Sequence, residues 1–109
     1  PCSGTGVIRR HPDIKLLRKP KDINKLIETQ ASILANLWTI LKPGGLMLYA
    51  TCSVLINENE NQVNNFLSHT NDANIEQITI PWGEGNLGKQ KLPEKENDGF
   101  YYAKIIKSI

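Results

Sequence analysis

The chain has 109 residues and a mass of 12.2 kDa, which is room for one small domain and too little for two hydrophobic cores. Its 13 Lys and Arg residues against 11 Asp and Glu residues give a formal net charge of +2. No stretch approaches the ~20 consecutive apolar residues of a membrane helix, and two cysteines are too few for a disulfide scaffold. The composition excludes a membrane-spanning role and predicts a protein of the reducing cytoplasm.

Residues 1–24 contain three prolines and two glycines without a sustained period, which predicts mostly loop, with a helical turn near Val7 to Arg10. The chain opens on Pro1 rather than Met, and its first six residues already resemble a functional turn, so we expect a piece of a longer protein. Residues 1–25 carry a net charge of +5 and the remainder −3. Such a cluster attracts a phosphate backbone, although a solvated basic loop has the same composition.

Residues 24–41 predict a helix, because apolar residues recur there at spacings of three and four. The predicted buried stripe comprises Leu26, Ile27, Ala31, Ile33, Leu34, Leu37, Trp38 and Leu41. Asp22 or Asn24 can cap the start of this helix. Lys42-Pro43-Gly44-Gly45 ends it, since proline cannot continue a helix and glycine accepts the left-handed conformation.

Leu46 to Thr51 is apolar without polar alternation, which predicts a central parallel strand covered on both faces. Asn57-Glu58-Asn59-Glu60 resembles a capping box with acidic residues in the first turn of a second helix. This helix is expected to be mostly polar, with a narrow apolar face made of Val63, Phe66 and Leu67.

The last third of the chain predicts two strands separated by a loop. Ile75 to Ile80 alternates as a short strand near an edge does, and Pro81 to Gly99 is rich in glycine and charge, as loops are. Phe100 to Lys107 is dense in aromatic and branched residues and predicts a final strand. The order of elements is that of the second half of an open α/β sheet.

Ligands of open α/β sheets bind beyond the carboxyl ends of the parallel strands. Cys52 follows the best predicted strand, and Cys2 follows another if an unseen strand precedes Pro1, so both cysteines are expected at the same edge. A single free cysteine is more often a small buried hydrophobe. Two at strand ends, beside small turn-forming residues, raise the case for a functional pair.

Two other site types are not supported by the spacing of these residues. Neither cysteine has metal-ligand spacing, and only His11 and His69 remain as further ligands, so no metal site is predicted. The turn from Gly4 begins like the dinucleotide fingerprint G-x-G-x-x-G, but Arg9 stands in the place of the third glycine.

Four blocks occur in an order that resembles the Sun-type (Fmu-type) RNA cytosine-5 methyltransferases: Pro1 to Ile14, Leu41 to Gly45, Tyr49 to Ser53 and Asp98 to Lys104. The Arg-Arg-His-Pro-Asp-Ile run in the first block most resembles the bacterial enzymes that modify small-subunit ribosomal RNA. The resemblance covers nearly the whole chain. It implies an α/β fold, the C-terminal half of a Rossmann-like class I methyltransferase domain, in which the sheet is mostly parallel and the last strand antiparallel.

In this resemblance, residues 1–109 are the C-terminal part of a single catalytic domain whose cofactor-binding half lies upstream. The implied reaction is methyl transfer from S-adenosylmethionine to C5 of cytosine, after a cysteine thiolate adds to C6. Cys52 is the implied nucleophile, and Cys2 helps to release the product. DNA cytosine methyltransferases use the cysteine of the Pro-Cys block as nucleophile instead, so the spacing leaves the two roles open. We expect the attacking thiol to have a lowered pKa, aided by a helix amino terminus after Cys52.

The resemblance also gives the basic segment a partner, which is small-subunit ribosomal RNA. The predicted RNA-binding residues are Arg9, Arg10, Lys15 and Arg18. No residue of this chain is predicted to bind S-adenosylmethionine, no metal or membrane partner is expected, and the isolated chain is expected to be inactive. Gly99 is expected to serve a turn and Phe100 the core.

Two competing classes of function remain at this point. One is a non-catalytic RNA-binding module derived from half of a methyltransferase. The other is a generic nucleotide-binding α/β protein in which both cysteines are structural.

Overall fold

A computed structural model of the chain describes residues 1–7, 11, 19–79, 85–94 and 97–109. These residues form two α-helices and four strands, with a short 3-10 turn near the start. In chain order they are the turn Thr5–Val7, α1 Pro20–Ile40, β1 Leu46–Thr51, α2 Glu60–Ser68, β2 Ala73–Glu76, β3 Lys89–Lys91 and β4 Phe100–Lys107.

Strand β4 is the centre of the sheet and runs antiparallel to its three partners. β1 pairs along one side of it, while β2 and β3 pair with its second and first halves, so the order is β1-β4-β2. Because β1 and β2 both oppose β4, they are parallel to each other. The α/β class and the antiparallel last strand are thus confirmed, and β4 has the predicted bounds. Every strand pairing within the described residues is antiparallel, so this part of the chain does not show the predicted mostly parallel sheet with β1 at its centre.

Both helices pack on one face of this sheet. Alternate residues of β4 point to that face and are fully buried, because a strand places every second side chain on the same side. The hydrophobic core consists of Leu34, Trp38, Tyr49, Val63, Phe66, Tyr101, Ala103 and Ile105. Trp38 packs edge-on against Phe66, with ring centroids 5.2 Å apart.

The opposite face of β1 is exposed among the described residues. On that face Leu48 is 58% exposed and Leu46 is also exposed, and on the side of α1 that borders β1 so are Ile33 and Leu37. The prediction that β1 is covered on both faces is therefore wrong for this part of the chain, and so is the burial of Ile33 and Leu37. Each of these two residues lies one position before a buried residue of α1, which rotates it by about 100° away from the core. We call these four residues the outer apolar face.

The C-terminal end of α1 follows the predicted chemistry, but the predicted start is wrong. The helix begins at Pro20, four residues before Asn24, and Lys19 rather than Asp22 or Asn24 is its N-cap. The Asp22 carboxylate accepts a hydrogen bond from the Lys19 backbone N–H at 3.3 Å, which ties down the first turn. At the other end Gly44 has φ of +82°, a conformation that favours glycine and reverses the chain toward β1.

The capping-box prediction for α2 is wrong. The helix begins at Glu60, which is the acidic residue of its first turn, and Asn59 makes no side-chain cap. Asn59 instead bonds to the Thr51 hydroxyl at 2.6 Å and to the Ser53 carbonyl at 3.0 Å. Asn57, which the spacing assigns to the cap, lies three residues before the helix, and tertiary contacts with the loop after β1 occupy the side chain of Asn59 at the cap position.

The two shorter strands differ from the predicted ones. β2 covers Ala73–Glu76 rather than 75–80, and Ile80 lies outside the described residues. β3 lies within the predicted loop 81–99. Its three residues, Lys-Gln-Lys, have little intrinsic strand preference, so their conformation follows from pairing with β4.

Candidate active site

The Pro-Cys turn is anchored to two other loops through Gly6. The Gly6 backbone N–H donates to the Cys52 carbonyl at 2.8 Å, and the Gly6 carbonyl accepts from the Gly99 N–H at 2.7 Å. A Cβ atom at this position would stand 2.1 Å from the Gly99 carbonyl oxygen. Only glycine permits this approach, so the turn sits where the chain after β1 and the chain before β4 meet.

The two cysteines meet at this junction, as the sequence predicts. Cys52 follows β1 directly, and its Sγ lies 3.1 Å from the Sγ of Cys2, so either thiol can donate to the other. Both are free thiols, with Cys52 exposed and Cys2 half-buried. Residues fifty positions apart in the chain thus form one dithiol site.

A cavity of about 410 Å³ opens beside the sulfur atoms. Its lining consists of Pro1, Cys2, Ala50, Thr51, Cys52, Phe100 and Tyr102. The Phe100 and Tyr102 rings pack against each other with centroids 5.0 Å apart. Phe100 was expected in the core, but residues that alternate with the buried side of β4 point to the opposite face, which places its ring in this cavity.

The pKa of the Cys52 thiol is raised to about 11, which contradicts the expected lowering. Although Cys52 is exposed as a residue, partial burial of its thiol is the largest cause, because it disfavours the charged thiolate, and the hydrogen bond to Cys2 is the next. The helix expected to favour the thiolate begins only at Glu60, eight residues later. At neutral pH this sulfur is therefore a thiol, and a nucleophilic role requires that a base or a bound substrate remove its proton.

A buried carboxylate lies beneath the site, which the sequence analysis assigned only to a helix start. Glu58 is 0% exposed, and Ser3, the residue after Cys2, donates to it from its backbone N–H at 2.8 Å and from its hydroxyl at 2.8 Å. The hydroxyl of Ser53, the residue after Cys52, makes a short hydrogen bond to the same carboxylate. The Cys-Ser pair that occurs twice places two hydroxyls beside the thiols, but nothing in the spacing of the sequence indicates that Glu58 accepts hydrogen bonds from both.

The other predicted site residues cannot be placed. Arg9, Arg10, Lys15 and Arg18 lie outside the described residues. Across the part of the chain that is described, no group of three His, Cys, Asp or Glu side chains could hold a metal ion. The helices within that part are also too short or too polar to cross a membrane.

The fold and the dithiol site define a methyltransferase-type α/β domain, and solved structures of this type superpose closely. A structure described as PH0851 matches 98% of this chain with a TM-score of 0.92 and 29% identity. NSun6 from Pyrococcus horikoshii with SFG matches the whole chain with a TM-score of 0.82 and 25% identity. The chain covers 25% and 28% of those proteins, respectively.

The chain belongs to the family described as 16S rRNA methyltransferase RsmB/F, whose profile matches residues 1–106. Ribosomal RNA small subunit methyltransferase B from Pasteurella multocida is 54% identical over the whole chain. The protein of the same name from Shewanella oneidensis is 51% identical over 99% of it. The chain spans about a quarter of the length of these curated relatives (25% and 26%).

Proposed function

We propose that the whole protein transfers a methyl group from S-adenosylmethionine to C5 of a cytosine in small-subunit ribosomal RNA. The observation that carries this proposal is the 3.1 Å separation of the Cys2 and Cys52 sulfur atoms at the mouth of a cavity large enough for a pyrimidine. Membership of the RsmB/F family and the names of the curated relatives support RNA methylation. The cytosine specificity rests on the chemistry of the thiols.

In this proposal Cys52 is the nucleophile. C5 of cytosine reacts poorly with a methyl donor until a thiolate adds to C6. The bond from Cys52 Sγ to C6 makes C5 electron-rich, so that C5 can attack the methyl carbon of a bound donor, whose sulfur would leave as a neutral thioether. Cys52 is favoured over Cys2 for this role because its thiol is the more exposed of the two.

Cys2 serves the release of the product. After methylation the C5 proton must leave, and its bonding electrons expel the Cys52 sulfur and restore the C5–C6 double bond. Cys2 Sγ stands 3.1 Å from the sulfur that departs, so it can act as the base or pass the proton to one. The raised pKa of Cys52 suits this step poorly, since a good leaving thiol has a low pKa.

The aromatic rings beside the thiols would receive the base. Phe100 and Tyr102 line the cavity together with the cysteines, and flipped bases commonly stack on aromatic side chains. We further propose Arg9, Arg10, Lys15 and Arg18 as contacts to the RNA backbone, because clustered cations displace counterions from phosphates. A ribosomal RNA substrate places the protein in the cytoplasm.

We expect the methyl donor to lie beside the described residues of this chain rather than to be bound by them. The cavity lining contains no carboxylate that could hold ribose hydroxyls, so we assign none of these residues to cofactor binding. S-adenosylmethionine supplies the methyl group when bound, and NSun6 from P. horikoshii, a structural relative, carries SFG, an analogue of it. We propose that the remainder of the protein holds the donor and that the isolated chain is inactive.

Product analysis tests the proposal. The whole protein is incubated with labelled S-adenosylmethionine and unmodified small-subunit ribosomal RNA, and the RNA nucleosides are identified by mass spectrometry. We expect label in 5-methylcytidine, and we expect Cys52→Ala and Cys2→Ala each to abolish turnover. Label on another nucleoside, or full activity of Cys52→Ala, would contradict the mechanism. RNA retention without transfer would favour the binding-module alternative.

A further inference from the structure

Each cysteine of the site is followed by a serine, and both serines converge on one carboxylate. Ser3 donates to Glu58 from its backbone N–H and from its hydroxyl, both at 2.8 Å, and the Ser53 hydroxyl donates to the same side chain. A carboxylate offers about four acceptor positions, and Gln30 fills the fourth at 3.2 Å. Glu58 therefore joins the two segments that carry the thiols.

The position of Glu58 excludes direct contact with a substrate. Its side chain is 0% exposed and does not line the cavity beside the sulfur atoms. The backbone of the same residue is also held, since its carbonyl accepts from the Tyr49 hydroxyl at 2.5 Å. Any influence of Glu58 on the reaction must therefore pass through its neighbours.

Further bonds show that the cysteines are held through the residues on either side of them. The Pro1 carbonyl, before Cys2, accepts from Gln30 at 2.9 Å. The Thr51 hydroxyl, before Cys52, donates to Asn59 at 2.6 Å. The buried polar side chains of this cluster all have partners, because no buried side-chain N or O atom in the described part of the chain lacks a hydrogen bond.

We propose that Glu58 is a positioning residue that holds Cys2 and Cys52 at reacting distance by accepting hydrogen bonds from the serine after each cysteine. The assignment to catalysis rests on the proposed function, whereas the assignment to geometry does not. The role depends on reach and hydrogen bonding rather than on charge. A glutamine has the same length, and its amide N–H groups can donate to both serine hydroxyls, which then accept instead of donating. A shorter side chain cannot reach them.

The geometry can be measured without RNA or a methyl donor. In a glutathione buffer, two thiols and one oxidised glutathione give one protein disulfide and two reduced glutathiones, so all atoms and electrons balance. The equilibrium constant gives the effective concentration of one thiol at the other. The sulfur atoms need about 1 Å of approach to reach the ~2.05 Å of an S–S bond.

The variants are made in the whole protein as Glu58→Ala, Glu58→Asp and Glu58→Gln, with Glu60→Ala as the matched control. Glu60 also accepts hydrogen bonds from backbone and hydroxyl donors, namely Gly88 and Tyr101, but touches neither serine. We expect Glu58→Ala and Glu58→Asp to lower the effective concentration of one thiol at the other at least about tenfold. The same two variants should lower kcat by about 10- to 100-fold with little change in KM. Gln at position 58 and Ala at position 60 should stay within about threefold of the wild type in both measurements.

The opposite results are equally specific. An unchanged effective concentration in Glu58→Asp and Glu58→Ala overturns the proposal. If the Glu58→Ala variant does not fold, the result for Glu58→Asp alone decides. A loss of kcat in Glu58→Gln as large as in Glu58→Ala means that charge matters, which also overturns it. An equal loss in Glu60→Ala shows general destabilisation instead. If the disulfide results hold but no variant methylates cytosine, only the proposed function fails.

Discussion

Two regions beside strand β1 differ in whether their side chains have partners within the described residues. Around the cysteines the polar groups of three segments bond to one another, with Glu58 at the centre. On the outer apolar face Leu48 is 58% exposed, and the described residues leave it without apolar cover. One strand thus borders a completed polar site at its end and an uncovered apolar surface along its length.

The hydrogen bonds that hold the two thiols in place are thus distinct from the apolar contacts that stabilise the domain. The geometry of the thiols depends on contacts within this chain, so it should respond to single changes near Gly6 and Glu58. A contiguous exposed apolar surface marks an interface. The outer apolar face should therefore affect stability in the whole protein while leaving the distance between the two sulfur atoms unchanged.

Gly6→Ala should have the largest effect, because the new Cβ would meet the backbone of two loops. It would stand 2.1 Å from the Gly99 carbonyl and 2.6 Å from that of Cys52. We expect a loss of about 3 kcal/mol in the free energy of unfolding, measured by urea titration of the whole protein. We also expect about a 100-fold loss of methyl transfer at a temperature where the variant is folded.

Gly45→Ala is the matched control for that variant. Its Cβ would approach the Leu41 side chain to 2.6 Å, but Gly45 lies at the opposite end of β1 from Cys52. It should lower stability and leave the activity of the folded protein nearly unchanged. Equal losses of activity in the two variants would show that the junction at Gly6 has no special connection with the thiols.

Leu48→Asp tests the outer apolar face and should have the next largest effect. If this face is covered in the whole protein, the substitution removes the stabilisation that burial of the leucine side chain provides. The free energy of unfolding should then fall by about 2 kcal/mol. Leu92 is 53% exposed in a loop and provides the control, because Leu92→Asp should change stability by no more than about 0.5 kcal/mol. Equal effects in thermal or urea unfolding would mean that the outer face stays open to water.

Cys2→Ala should abolish turnover, but its effect on the thiol that remains should be the smallest of these changes, a shift in the pKa of Cys52. Cys2→Ala removes the hydrogen bond that contributes to raising the pKa of Cys52 to about 11, while burial, the larger cause, remains. The pKa should fall but stay above its ordinary value of 9.0. The thiolate fraction at pH 8 then rises, so Cys52 should react faster with iodoacetamide, as followed by peptide mass mapping across pH.

Cys2→Ser refines this measurement. A serine does not ionise in this pH range, and its hydroxyl can donate a hydrogen bond to the Cys52 thiolate, so the pKa should fall at least as far as with alanine. A midpoint that stays the same or rises in Cys2→Ala would show that the two thiols do not interact in solution.

Local sequence signals predicted the elements that depend on local physics. The end of α1 at Gly44 follows from proline and glycine chemistry, and β4 follows from a dense run of aromatic and branched residues. The meeting of Cys2 and Cys52 followed from the topology of open sheets. These predictions needed no knowledge of distant contacts.

The wrong predictions concern residues whose environment comes from distant parts of the chain. Glu58 has the spacing of a helix-start acid, but Ser3, 55 positions away, makes it a buried acceptor. The pKa of Cys52 is set by burial and by Cys2 rather than by the next helix. β3 forms because β4 pairs with it, not because its residues favour strands. The periodicity and spacing of residues in the sequence give no information about these contacts.

The most direct test of the account uses RNA in which 5-azacytidine replaces cytidine. This base has nitrogen at position 5 and no proton to lose, so elimination stops and the attacking sulfur stays bonded to C6. The whole protein is incubated with this RNA and S-adenosylmethionine, and the adduct is mapped by mass spectrometry. The account predicts a denaturation-resistant adduct on Cys52 that Cys52→Ala abolishes. An adduct on Cys2 would reverse the two roles, and no adduct on either cysteine would contradict covalent catalysis.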